Sequence, residues 1–365
     1  MPRAAQAEVA VRGAGPVGCV LALLLRQDGR PVVLERQATE AAPSHPAVRS
    51  SFRPLALSHA SRLILERAGV WPMLRPTPIA AIHVSQQGGF GRTRMSAEEA
   101  GVPALGYVVD YASLLEALLA CVEAASIPAD GTGGIALRVH AEGSAETPQE
   151  KDYRQEAVVA QVATRPAAAA TAWERFTPDG PLALLPMDGR YCAVWGTRPE
   201  RARELCEAPE AAFLTALTAA FGLRAGEFVA ASGRSRVPLA LRVRAMRIGE
   251  RQAYIGNAAQ TLHPVAGQGL NLGLRDAWDL AQVLRGAEDP GDARLLQRYA
   301  AMRRIDAAAT VRVTDFLAGA FLAGSPLGGP LGGLLRGFGL TALDICLPAR
   351  RFFARRMIYG ASALP

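Results

Sequence analysis

Residues 8–35 of this chain follow a pattern that few folds tolerate. Glu8–Arg12 (EVAVR) alternates as a short strand and runs at once into Gly13-Ala14-Gly15-Pro16-Val17-Gly18. An apolar helix over Cys19–Leu25 follows, then a second strand, Pro31-Val32-Val33-Leu34, ending in Glu35. Each part has a mechanical reason. Gly13 permits the tight turn, Gly15 lets backbone approach a pyrophosphate, and Gly18 lets helix and strand pack closely. The helix start offers unpaired N–H groups and the positive end of its dipole to phosphates. Glu35, 22 residues after Gly13, is placed to accept hydrogen bonds from ribose hydroxyls. The unit predicts a doubly wound α/β domain that holds a dinucleotide. Arg12 alone breaks the pattern, standing where the strand calls for an apolar residue, so its guanidinium must reach the surface or strain the strand.

At 365 residues the chain is long enough for two domains, and half of it is hydrophobic against 20% charged, so it can bury a sizeable core. The net charge of +7 is carried almost wholly by arginine, since Lys151 is the only lysine. These basic residues are scattered, without zinc-finger spacing or a basic stripe interleaved with aromatics, which argues against nucleic acid as a partner. Five cysteines, odd in number and never in a Cys-x-x-Cys pair, predict a reduced, cytoplasmic setting with no disulfide framework and no metal site. The apolar run Val17–Leu25 is too short to span a bilayer. The longer uncharged run Phe316–Leu335 is broken by Pro326, Pro330 and two Gly-Gly pairs, so no transmembrane helix is expected.

A second glycine-rich segment lies far along the chain. The apolar Ala253-Tyr254-Ile255 leads through Gly256-Asn257 to Leu262-His263-Pro264-Val265-Ala266-Gly267-Gln268-Gly269-Leu270-Asn271, and Leu270–Leu284 has helical periodicity. A glycine loop again feeds a helix start, so the N–H groups of 267–270 point at whatever lies there.

The segment GNAAQTLHPVAGQGLNLGLRDAWDLA resembles the second flavin motif of the aromatic-ring hydroxylases related to p-hydroxybenzoate hydroxylase. The similarity is greatest to the UbiH/UbiF/VisC-type monooxygenases of ubiquinone biosynthesis, and among these to the 2-octaprenyl-6-methoxyphenol hydroxylases. RPLALSHASRLILERAGVW (53–71), LGYVVDYASLLEALL (105–119) and RFTPDGPLALLPM (175–187) agree with that branch, and the likeness spans nearly the whole chain. The resemblance implies an FAD-binding Rossmann-like domain, an antiparallel-sheet substrate domain and C-terminal helices. The domain boundaries it suggests are 1–75, 105–140 and 245–300 for the flavin, 76–104 and 141–244 for the substrate sheet, and 301–365 for the helices.

Carried onto this sequence, the resemblance places Gly13, Gly15 and Gly18 at the FAD pyrophosphate and Glu35 with Arg36 at the adenosine ribose. Arg53 contacts the cofactor, Asp130 belongs to an Asp-Gly motif facing the flavin, and Asn257 replaces a commoner Asp near the ribityl chain. Pro264, Gly267, Gln268, Gly269 and Asn271 line the flavin ring. His263 either positions and deprotonates a phenol or hydrogen-bonds its own loop. The implied reaction takes NAD(P)H as a transient co-substrate, since no second G-x-G-x-x-G exists, and uses O2 to hydroxylate a polyprenylated phenol.

Helices are expected over Tyr111–Ala124 and Pro209–Phe221, and strands over Glu156–Thr164, Leu182–Pro186 and Tyr191–Trp195. The Pro/Gly/Ala-rich stretch 126–150 carries no expected element. Between Ala125 and Asp130 there is no room for the roughly three strands that relatives place there. That shortage keeps open a catalytically impaired scaffold in a quinone-synthesis assembly, or a related flavoenzyme with another substrate. Leu347–Gly360 mixes Arg350, Arg351, Arg355 and Arg356 with Phe352, Phe353, Met357 and Ile358. It reads either as a helix on the inner face of the cytoplasmic membrane, beside other ubiquinone-biosynthesis proteins, or as an ordinary packed C-terminal helix.

Overall fold

The computed structural model describes residues 8–36, 53–130, 134–143, 149–262, 267–320 and 330–360. The first strands in chain order are β1 (Glu8–Arg12), β2 (Val32–Glu35), β3 (Pro54–Ser58), β4 (Thr77–Ile79), β5 (Ala81–Gln86), β6 (Arg92–Ser96), β7 (Gly106–Asp110) and β8 (Ile135–His140). They are followed by β9 (Gln149–Arg165), β10 (Thr171–Thr177), β11 (Gly180–Met187), β12 (Arg190–Thr197), β13 (Glu227–Val243), β14 (Ile248–Gly249), β15 (Gln252–Tyr254) and β16 (Gln260–Thr261). The helices are α1 (Pro16–Gln27), α2 (His59–Arg67), α3 (Ala97–Ala100), α4 (Tyr111–Ala124), α5 (Pro199–Glu207) and α6 (Glu210–Phe221), then α7 (Gln268–Leu284), α8 (Ala293–Ala320), α9 (Pro330–Ile345) and α10 (Leu347–Tyr359).

Three sheets organise the molecule. A five-stranded sheet has the order β14-β15-β8-β1-β2, with β15, β8, β1 and β2 parallel. An eight-stranded sheet, β16-β13-β9-β12-β11-β10-β5-β6, is antiparallel except where β10 runs parallel to β5. A three-stranded sheet, β3-β7-β4, lies between them.

The apolar periodicity explains the largest core. Val9, Val11, Val32, Leu34, Leu137, Val139, Ala253 and Ile255 point from the parallel sheet into one cluster with α1, α4 and α7. Helix α1 is buried along Pro16–Leu25 because VGCVLALLL offers no polar side chain to solvent. Full burial of each Leu or Val in it is worth about 1.5–3 kcal/mol.

The structure corrects the reading of 126–150. A complete strand, β8, lies there and fills the centre of the parallel sheet between β1 and β15. Among the described residues no strand lies between α4 and β8, so the shortage is real, yet the parallel sheet is continuous. The strand expected at Glu156–Thr164 is the C-terminal half of the longer β9, which pairs with β13 along nearly its full length.

Candidate functional site

All four parallel strands present their C-terminal ends at one edge, the edge where open α/β sheets bind ligands. Gly13 there has φ +107°, and its N–H donates to the Glu35 carbonyl at 3.0 Å, tying the turn to β2. A Cβ at Gly18 would run into the Gly13 carbonyl oxygen, whereas one at Gly15 would meet nothing within 4 Å. The turn is therefore closed against the helix and open toward solvent, where Gly15 is the N-cap of α1.

The fate of Arg12 is settled by register. It pairs across β2 with Glu35 and across β8 with His140. Its Nε lies 3.2 Å from Glu35 and 3.5 Å from Glu142, and its side chain is 36% exposed. The guanidinium reaches the surface at the rim, neutralised by two carboxylates, and the strand needs no strain.

Glu142 is the residue that sequence reasoning missed. It follows β8, its N–H and Cβ pack directly against Gly13, and Glu142-Gly143 ends the strand beside the glycine turn. Pro128 accepts from Leu34 N at 2.8 Å on β2, and Gly134 accepts from Glu8 N at 3.3 Å at the start of β1. Asp130 is exposed on the stretch between these two contacts. The signal that could have found Glu142 is the run IALRVH-AEG, a strand followed by acid-Gly, obscured by Arg138 and His140 on its polar side.

The second glycine segment meets the first through Val17. A Cβ at Gly256 or at Gly273 would press on the Val17 side chain, so α1 and α7 touch at their starts. Gly267, at φ +59°, caps α7, and a Cβ at Gly269 would meet open space. Asn257 is exposed on the single helical turn Gly256–Ala258. Gln268 is half-buried in the first turn of α7.

Asn271 is buried, and its amide is fully used within the protein. Its Oδ1 accepts from Ser58 N at 2.8 Å and Ser61 Oγ at 2.7 Å. Its Nδ2 donates to the carbonyls of Ala56 and Gly267, both at 2.8 Å. Asn271 thus staples the loop at 267 to β3 and α2. Arg53 and Arg36 are exposed; Arg53 stacks over the Tyr111 ring at 4.9 Å. His263 and Pro264 lie outside the described residues.

Behind the loop sits an ionic cluster. Buried Asp276 accepts from Gly256 N at 3.1 Å, Gln260 Nε2 at 2.8 Å and Arg303 Nε at 2.7 Å. Arg303 also donates to Asp279 at 2.8 Å and Asp306 at 2.7 Å, and Arg275 donates to Asp306 at 2.8 Å. Arg247, bonded to Gln260, completes the set at 3.4 Å from Asp276. Three carboxylates thus face three guanidiniums, and the Arg303 guanidinium is held above its usual range by Asp276, Asp306 and Asp279 despite burial that opposes it. The cluster fixes α7 to α8 and to the 256–261 segment.

Residues 126–314 match the family model described as FAD binding domain. The chain is 31% identical to ubiquinone hydroxylase UbiL of Rhodospirillum rubrum, over 96% of this chain and 89% of that one. It is 30% identical to 3-demethoxyubiquinol 3-hydroxylase of Escherichia coli, over 82% and 86% respectively. The chain belongs to the FAD-dependent hydroxylases. The solved structure of Klebsiella pneumoniae HpxO with FAD and uric acid superposes with a TM-score of 0.71 at 15% identity, covering 95% of this chain and 96% of that one, which establishes the shared fold.

The residues present fit FAD. Two helix starts, α1 and α7, converge without an acidic side chain in either first turn, and both have open backbone where Cβ atoms are missing. These suit the anionic pyrophosphate and the electron-rich ring of a reduced flavin.

Proposed function

We propose that this FAD-dependent monooxygenase hydroxylates a polyprenylated phenol in ubiquinone synthesis, with NAD(P)H and O2 as co-substrates. The observation that carries this reading is the match over most of the chain to two hydroxylases named for ubiquinone chemistry. When bound, FAD supplies electron transfer from NAD(P)H and activation of O2. The protein's own share is placement. Gly13, Gly15 and Gly18 give the pyrophosphate a close approach, Glu35 accepts from ribose hydroxyls, and Glu142 holds Arg12 at the rim. Asn271 sets the 267–271 loop against β3, so that α7 directs its first N–H groups at the flavin ring.

The C-terminal helices support a membrane-facing role. In α10, Ala354 and Ile358 pack into the core with Met95 and Leu105. Arg351, Arg355 and Arg356 are exposed, as is Phe352, while Arg350 is paired with Glu99 at 3.1 Å. Both readings of the tail thus meet in one helix: one side packs as an ordinary element, the other presents arginines beside aromatic surface, as on an anionic bilayer. Among the described residues, no helix is long and apolar enough to cross a membrane.

The test is to purify the protein, record its flavin absorbance, and express it in a host lacking a ubiquinone hydroxylase. Restored ubiquinone with flavin bound supports the reading. A flavin-loaded, well-expressed protein that leaves the quinone profile unchanged sinks the substrate, and a colourless protein that takes up no FAD points to a scaffold.

A further inference from the structure

On the inner face of the eight-stranded sheet, turned toward the flavin-binding elements, one row across five strands carries a single charged residue. Across the strands one row reads Thr93, Val84, Glu174, Ala183, Val194. Along β10 the same face carries Ala172 before Glu174 and Phe176 after it. Ala172 packs with Ile79 and Val108 of the three-stranded sheet, and Phe176 clusters with Leu262 and Leu272 beside the cofactor loop. Val84 joins Met95, Ala354 and Ile358 on the third side. Glu174 therefore sits where three apolar clusters meet, about two strand residues, or ~7 Å, from the one that includes the first turns of α7.

We propose that Glu174 accepts the proton of the substrate's phenolic hydroxyl. This rests on the reading of the substrate as a phenol. The Glu174 carboxylate has no hydrogen-bonding or ionic partner among the described residues, although an isolated buried carboxylate is costly and is ordinarily paired. Its side chain is half-buried among these clusters, which leaves carboxylate surface within reach of a ligand.

Burial alone pushes its carboxyl up to about 7. No charge offsets this. The elements packed over it present Ile79 and Val108 from the three-stranded sheet, Leu272 from α7, Ala307 and Val311 from α8, and Ala354 and Ile358 from α10. On other strands of the same face the titratable groups are the Cys192 thiol, itself pushed up by burial, and the Tyr153 hydroxyl in the cluster with Phe176. An acceptor titrating near neutrality suits general-base work. The O–H bond of the phenol breaks, its electron pair stays on oxygen and enriches the ring carbon to be hydroxylated, and the proton passes to a Glu174 oxygen.

The test uses the FAD-loaded enzyme with a lipophilic phenol. In wild type, kcat/KM for hydroxylation rises with pH through about 7 as Glu174 ionises. Glu174→Gln loses that limb and falls by about 10²–10⁴-fold, while Glu174→Asp keeps the limb. A second readout needs no turnover. The dissociation constant of an unreactive phenol, read from flavin absorbance without NAD(P)H, tightens above pH 7 in wild type and is flat in Glu174→Gln. Because the raised carboxyl makes the folded state bind the extra proton up to about pH 7, wild-type stability falls as pH rises to that point. Glu174→Gln is therefore at least as stable at pH 8, so lost activity is not lost fold. A Glu174→Gln enzyme that keeps the acid limb, or a His263→Gln enzyme that alone loses it, overturns the proposal. If wild type hydroxylates no phenol, the substrate reading fails. Binding still decides on Glu174, since identical pH profiles in wild type and Glu174→Gln reject it.

Discussion

Single residues at this site do work their type alone does not announce. Asn271 stands in a loop that reads as flavin-lining, and tertiary structure turns its amide inward to four partners on β3, α2 and its own loop. Asn271→Ala leaves those groups unmet and is expected to cost about 2–4 kcal/mol in urea unfolding, since each buried hydrogen bond contributes roughly 1 kcal/mol. It should also weaken FAD binding at least tenfold, measured by flavin fluorescence; unchanged FAD affinity would show that the loop holds its shape without the staple. Glu142 teaches the converse. Its side chain was unreadable as a site residue because only pairing of β8 with β1 sets it beside Gly13. Asp130, in a more familiar Asp-Gly pair, is exposed on the stretch between Pro128 and the start of β8.

Among elements, α7 is the one whose position decides the site, and its anchor is ionic. Replacing Arg303 with Met leaves Asp276, Asp279 and Asp306 facing too little positive charge, which costs about 3–5 kcal/mol for a buried pair broken on one side. Burial already raises the Asp279 carboxyl against the pull of Arg303, so without Arg303 it binds a proton still more readily folded than unfolded. Stability of the variant should therefore fall as pH rises above the ordinary carboxylate range, a slope that urea titrations at several pH values would detect. A pH-independent loss would mean the cluster contributes packing rather than charge. For α10 the expectation is electrostatic as well. Arg351→Glu, Arg355→Glu and Arg356→Glu together should remove binding to anionic vesicles, by about 1 kcal/mol or more per arginine, without unfolding the chain, because these side chains are exposed. Cosedimentation that survives the three changes would place the membrane contact elsewhere.

At the scale of the molecule, the proposed cofactor site draws on segments far apart in the chain, 13–18, 35, 142, 256–262 and 267–271, and α1 and α7 hold them together. FAD bound across them should stabilise the whole fold by mass action, about 2.7 kcal/mol at a hundred times its dissociation constant. The melting temperature should therefore climb steadily with added FAD. A temperature that ignores FAD would mean the two glycine segments do not act as one site.

What the sequence determined alone is the repeating local chemistry. Strand alternation, glycines at a turn, an apolar helix and a terminal acid need no distant partner, so the unit at 8–35 and the helix after Gly267 were legible. β8 was not, because Arg138 and His140 blur its alternation and its place comes from pairing with β1 and β15. The ionic cluster was hidden for a related reason. Arg275, Asp276 and Asp279 look like the solvated side of an amphipathic helix, until α8 brings Arg303 and Asp306 against them. Glu174 is the sharpest case. In the sequence it is one charged residue in an alternating strand, and only the packing of three clusters around it removes the water that would otherwise keep its carboxyl ordinary.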